Sequence, residues 1–221
     1  MDISKPKALL VVEAILSSFE FTQYQLWKQT GVSFGQVNKV VNYLVKKGAV
    51  GKVGKRYQVT SYGWVLQLFL AHRTFPKPVA TFQITIGRQE IFSYLAEQGC
   101  TFCLTTAWQQ YDDYLHEGAV HAYLPADDKI VKKVLAELSA QPNGLQLVQL
   151  YLQDLPVKPA KALNKWGKGK QAGKPFEEPF KPLKYLPVTS EIRTLLDMYS
   201  SHYAYGVQNW ITHKVEQWQR K

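Results

Sequence analysis

The chain is 221 residues long, 46% hydrophobic and carries a net charge of +10. That length and apolar content suit one large domain or two small ones with a real core, and two cysteines exclude a disulfide-stapled scaffold. No apolar run approaches the ~18 residues of a membrane-spanning helix, and the opening MDISKPK leads into no signal-peptide pattern, so a cytoplasmic protein with no membrane partner is expected.

The charge is unevenly placed. Residues 1–89 hold twelve basic and three acidic side chains, residues 90–156 three basic and nine acidic, and residues 157–221 twelve basic and five acidic. A basic head, an acidic middle and a basic tail suggest separate surfaces for separate partners. From Phe21 to Gln89 there is no Asp or Glu, against ten Lys or Arg. Such a stretch makes a potential of one sign and attracts a polyanion.

Within the basic head, Pro6 fits the first turn of a helix that Ser4 caps. Leu9, Val12, Ile15, Leu16 and Phe19 recur there at helical spacing. Thr22 caps a short helix through Leu26 and Trp27, and Gly31 follows its end. Ser33 caps a third helix over 34–47, with Val37, Val40, Val41, Leu44 and Val45 as its apolar face and Gly48 closing it. Residues 49–53 and 57–60 are β-favouring runs around Gly54-Lys55, which reads as a hairpin.

The run FTQYQLWKQTGVSFGQVNKVVNYLVKKGAVGKVGKRYQVT carries this order of helix, turn, helix and hairpin. It resembles the winged helix-turn-helix of transcription regulators of the MarR and ArsR type. The resemblance implies that the third helix lies in the major groove of double-stranded DNA. Gln36, Asn38, Lys39 and Asn42 face away from its apolar stripe. Gln and Asn can pair with adenine there, and Lys can donate to guanine. Ser33 and the helix N-terminus suit a phosphate. Lys46 ends the helix, and Lys52, Lys55 and Arg56 on the hairpin meet backbone phosphate or a minor groove, positioning rather than specifying. The alternative is a winged helix turned to protein contact. Tyr62, Trp64, Val65, Leu66, Leu68, Phe69 and Leu70 form a further apolar helix, which either pairs two subunits of a homodimer or packs on the rest of the chain.

Phe75-Pro76-Lys77-Pro78 breaks structure. It separates a DNA-binding domain at 1–75 from a mixed α/β domain at 79–221 for an effector, a partner or oligomerisation. The expected fold class is therefore α+β. In the second domain, strands are expected at 80–86, 120–124 and 146–152. Helices are expected at 89–98, at 105–115 with Thr105 or Thr106 as cap, and after Asp127 through Leu138. The proline- and glycine-rich span 156–187 reads as a long loop, and its residues 157–174 carry six Lys and no acid. It either touches nucleic acid, with Trp166 for stacking, or is simply solvated. Ser190-Glu191 opens a helix through Ile192, Leu195, Leu196 and Met198, and a last helix spans 205–218.

The runs YLPVTSEIRTLLDMYSSH and CLTTAWQQYDDYLHEGAVHAYLP resemble segments of AbiEi-type antitoxins. That family pairs a winged helix with a domain that neutralises a nucleotidyltransferase toxin and supports autoregulation, which would make a toxin the protein partner. The Lys-rich span departs from the family. An architectural DNA-binding protein without sequence preference is a third reading.

Cys100-x2-Cys103-x12-His116-x4-His121 has the spacing of a zinc finger. Trp108 and Leu115 are out of step with a finger, Gly118 separates the histidines, and Asp112, Asp113 and Glu117 make the segment acidic. Buried cysteines and ordinary histidines are therefore expected, with no metal and no cofactor. The phosphate-cradling, GxSxG and HExxH patterns are missing from the sequence. Asp112-Asp113 and Glu177-Glu178 read as solvated pairs, so no enzyme is expected.

Overall fold

The computed structural model describes residues 3, 5–112, 117–154, 157, 159–163 and 183–207. It belongs to the α+β class. The chain divides into one unit of Met1–Phe75 with Met198–Lys221 and a second of Pro76–Asp197. One break falls inside the Phe75-Pro76-Lys77-Pro78 segment; the second, after Asp197, groups 198–221 with the first unit rather than with the domain expected at 79–221. No helix among the described residues is long and apolar enough to cross a membrane.

In the first unit α1 (Pro6–Leu16) begins with Pro6, where a missing N–H leaves nothing unpaired. Lys5 takes the N-cap position; Ser4 lies outside the described residues. A short strand β1 (Glu20–Phe21) leads into α2 (Gln23–Thr30). Thr22 and Gln25 close a capping box there: Thr22 Oγ1 accepts from Gln25 N at 3.1 Å, and Gln25 Oε1 accepts from Thr22 N at 2.8 Å. Gly31 ends the helix with φ 68° and donates to the Trp27 carbonyl at 3.0 Å, a left-handed conformation that favours glycine. Helix α3 (Phe34–Lys46) buries Val37, Val40, Val41 and Leu44 completely, each contributing about 1.5–3 kcal/mol.

Strands β2 (Val50–Val53) and β3 (Arg56–Val59) form an antiparallel hairpin around Gly54-Lys55. β1 adds to it in the order β1-β3-β2, with Phe21 opposite Tyr57. Their rings stack at 5.8 Å. Ser61 caps α4 (Tyr62–Leu70), whose Tyr62, Val65, Leu66, Leu68 and Phe69 are buried.

The second unit is built on a mixed sheet of β4 (Ala80–Ile84), β5 (Thr101–Phe102), β6 (Val120–Tyr123), β7 (Gln146–Tyr151), β8 (Ala160–Leu163) and β9 (Tyr185–Val188). Their order is β4-β7-β6-β5-β9-β8, with β6/β7 and β5/β9 parallel and the other pairs antiparallel. Helices α5 (Arg88–Glu97), α6 (Leu104–Tyr111), α7 (Asp128–Ser139) and α8 (Glu191–Tyr199) complete it, α8 running on across the unit boundary. Successive strand residues point to opposite faces, and here the two faces differ in chemistry. Phe102, Val120, Ala122, Val148, Leu150 and Val188 join Ile91, Phe92 and Leu95 of α5 and Val134 and Leu138 of α7 in an apolar core. The alternate positions on the central strands are His121, Tyr123, Gln149 and Tyr151.

Several expectations change. Residues 160–163 and 185–188 lie in the span expected as loop, yet they form the paired strands β8 and β9; 164–182, with Trp166, lie outside the described residues. Helix α6 starts one residue early, at Leu104, with Cys103 at its N-cap position. Thr105 and Thr106 are therefore inside the helix rather than capping it, and their hydroxyls bond to β6 and the segment before it: Thr105 Oγ1 donates to Glu117 Oε2 at 2.7 Å, and Thr106 Oγ1 accepts from His121 N at 2.8 Å. Of the expected 205–218 helix, the described part is a 3-10 turn, Ala204–Val207. At Gly144 a Cβ would clash with the Ile84 backbone, so the turn before β7 has room only for glycine.

Candidate nucleic-acid interface

Helix α3 buries one side and leaves the other to solvent. Lys39, Asn42 and Lys46 are exposed there, and Gln36 and Asn38 are half-buried. Four of these five belong to the set that a groove-reading helix would use, and Lys46 follows at the C-terminal end. Asn42 Nδ2 donates to Asn38 Oδ1, one turn away, so the two amides hold each other in one arrangement. The bond takes up one of the oxygens that the sequence argument offered to a base; Asn38 must give it up to read adenine bidentately.

Ser33 occupies the N-cap position of α3, but its side chain makes no capping bond. Its carbonyl accepts from Gln36 N at 2.9 Å and Val37 N at 3.1 Å. The expected hydroxyl cap is therefore absent, and the exposed hydroxyl lies beside the helix start.

Lys52 lies on β2, Lys55 in the turn, and Arg56 opens β3, all three exposed. Arg56 is not an uncompensated cation. Its Nη1 lies 3.1 Å from Glu20 Oε2, with side-chain exposures of 65% and 43%. β1 brings this carboxylate, one residue outside the acid-free run, alongside the hairpin. An exposed pair of this kind holds weakly, about 0–1 kcal/mol, and the guanidinium can exchange partners.

A further surface lies on α2 and at the start of α3. Tyr24 and Trp27 on α2 are 54% and 39% exposed, and Phe34 at the start of α3 is 47% exposed. The burial of Leu26 already supplies the apolar side of α2; an aromatic at a helical spacing without a core partner was the available signal.

The zinc-like spacing resolves differently. Cys100 and Cys103 are free and buried. Burial pushes the Cys100 thiol up to about 12. Burial and then the Asp197 carboxylate hold Cys103 well above the ordinary thiol range. Zinc binds thiolates, and both surroundings favour the protonated form. The buried His121 ring points Nδ1 at the Tyr151 hydroxyl, 3.1 Å away, and Nε2 at Glu117 Oε2, 3.3 Å away. His116 lies outside the described residues. Among the described residues, no group of three or more His, Cys, Asp or Glu side chains could hold a metal ion.

Beside His121 lies a second buried set. Asp197 is wholly buried and accepts from Arg193 Nε at 2.9 Å and from the Tyr123 hydroxyl at 3.0 Å. Arg193 Nη2 reaches Asp154 at 3.4 Å, and the guanidinium carbon lies 5.7 Å from the Tyr123 ring centroid. Burial also pushes the Tyr151 hydroxyl far above its usual range, with Cys103 and Glu117 adding to the shift. These groups bond to one another and tie α8 to the polar side of the sheet, which is a structural chemistry.

No protein-family model matches the chain, and no curated protein or solved structure shows significant similarity to it.

Proposed function

We propose that the protein is a sequence-specific transcription regulator, binding double-stranded DNA through a winged helix-turn-helix in its first unit. One observation carries this reading. The uncovered side of α3 bears Gln36, Asn38, Lys39, Asn42 and Lys46, within a run from Phe21 to Gln89 that holds no carboxylate. A helix with amide and ammonium groups on one side suits base edges in a major groove. Lys52, Lys55 and Arg56 on the adjoining hairpin suit backbone phosphate. The protein acts in the cytoplasm as a homodimer, so its operator carries two half-sites about one helical turn, ~34 Å, apart. The second unit serves an effector or a protein partner.

Paired substitutions test the division of labour. Lys39→Ala and Asn42→Ala lower discrimination between operator and scrambled duplex, by about 1–3 kcal/mol for each lost base contact. Lys52→Ala with Lys55→Ala weakens both duplexes alike and flattens the salt dependence by about two units. Equal, sequence-independent losses from both pairs would remove base reading from α3.

A further inference from the structure

We propose that the exposed aromatic face of α2 is a stacking platform for an unpaired base of the DNA that α3 binds; this rests on the reading of the first unit as a DNA-binding module. Tyr24 and Trp27 are one helical turn apart, with ring centroids 5.4 Å apart and planes tilted by 53°. Roughly half of the tyrosine and two-fifths of the tryptophan remain in water. Lys28 places its Nζ 4.9 Å from the Tyr24 centroid. Phe34 presents a third exposed ring just after the turn, where α3 begins.

The fold does not need these rings outside. The buried Leu26 anchors α2, and the helix is closed at both ends by the Thr22–Gln25 box and by Gly31. Large aromatic rings held at the surface next to a cation suit a flat, anionic ligand. Every nucleobase has a π-face that stacks on Tyr or Trp, and its phosphate answers the ammonium. The charge argues for this occupant over a protein: no carboxylate occurs from Phe21 to Gln89, so the surface is electrostatically complementary to a polyanion. A base pair inside a duplex cannot reach such a face, because its π-faces are covered by its neighbours. The ligand is therefore a nucleotide freed from the stack, in an overhang, a bulge or a melted step next to the site. Because the two rings are tilted, one takes the base face while the other meets its edge or sugar.

The full chain is titrated by fluorescence anisotropy against a blunt duplex and against the same duplex with a short single-stranded overhang. The overhang duplex is expected to bind about tenfold more tightly. Tyr24→Ala and Trp27→Ala should bring that ratio to about one and leave blunt-duplex affinity within about twofold, since the rings do not stack on paired bases. Trp27→Phe should keep most of the preference. Unchanged far-ultraviolet circular dichroism checks folding, and the phenylalanine variant keeps the test open if an alanine variant misfolds. Wild-type protein that binds both duplexes equally overturns the platform while leaving the proposed function intact. Wild-type protein that binds neither overturns both. Alanine variants that keep the overhang preference, or that weaken both duplexes equally, also overturn the platform. Self-association abolished by Trp27→Ala with no change in DNA preference would assign the face to a second copy of the chain instead, and overturn it too.

Discussion

Arg56 in the first unit and Arg193 in the second each pair with a carboxylate, in opposite surroundings. The Arg56–Glu20 pair lies in water, 65% and 43% exposed. Arg193 is 2% exposed and Asp197 is wholly buried. Arg56 is thus a cation that a ligand can reach, unlike Arg73 of the same unit, which is 7% exposed. The second unit buries the Arg193–Asp197 pair, which bonds to the Tyr123 hydroxyl and reaches the exposed Asp154. Both regions are rich in polar residues, but only the outward ones can be exchanged for a partner. Buried charge is committed to the fold, because removing either member strands the other.

Cutting the buried pair should have the largest effect. Asp197→Ala leaves Arg193 without its closest acceptor and should cost about 3–5 kcal/mol, read from urea unfolding. A cost below about 1 kcal/mol would make the buried pair no different from an exposed one. The loss of DNA affinity should then follow unfolding alone.

Alkaline pH probes the same interior. Cys100 is raised from an ordinary 9.0 to about 12 by burial, so the folded chain keeps a proton that the unfolded chain releases. Stability is then full below pH 9 and falls as pH rises toward 12. Tyr111 is raised to about 12 chiefly by burial and acts in the same direction. Urea midpoints at successive pH values should fall over this window, and less steeply in Cys100→Ala. A flat profile contradicts the buried environment assigned to this thiol.

Smaller effects are expected at the surface of the first unit. Thr22→Ala removes the capping box of α2 and should cost about 1 kcal/mol. Glu20→Gln should change stability by less than about 1 kcal/mol, yet strengthen DNA binding at low salt, because it frees Arg56 and removes a negative charge beside the hairpin. Calorimetry and anisotropy on the same variant separate the two readouts. Weaker DNA binding from Glu20→Gln would mean that the pair positions Arg56 rather than competing for it.

The parts legible in the sequence are those whose signals are local. Thr22, Gly31 and Asp127 announce helix ends through their own side chains or backbone, and Asp127 Oδ1 accepts from Lys129 N at 2.8 Å as a cap does. Val37, Val40 and Val41 of α3 repeat at helical spacing and are buried together, while Val45 is half-buried. Strands β1 and β5 were illegible because each is two residues long; only their distant partners make them strands. Thr105 and Thr106 misled because the hydroxyl that caps a helix serves equally well within one, once a segment such as 117–121 lies beside it. Arg193 and Asp197 have the i,i+4 spacing of an ordinary helix-surface pair; their burial depends on Tyr123, more than seventy residues earlier. In the candidate interface, the cations and amides were legible from charge and spacing. The Glu20 partner of Arg56 and the outward set of Tyr24 and Trp27 were not, since both depend on which faces the fold leaves uncovered.

The central claim is that α3 and the hairpin bind duplex DNA by sequence. The most direct test is anisotropy titration of the full chain against its own upstream DNA and a scrambled duplex of equal length, across a series of salt concentrations. Base reading by α3 would give tighter binding to the upstream DNA at every salt, by about 10³-fold or more, with both affinities falling as salt rises. Equal affinities would contradict sequence reading by α3, and no binding to either duplex would contradict the DNA-binding assignment of the first unit.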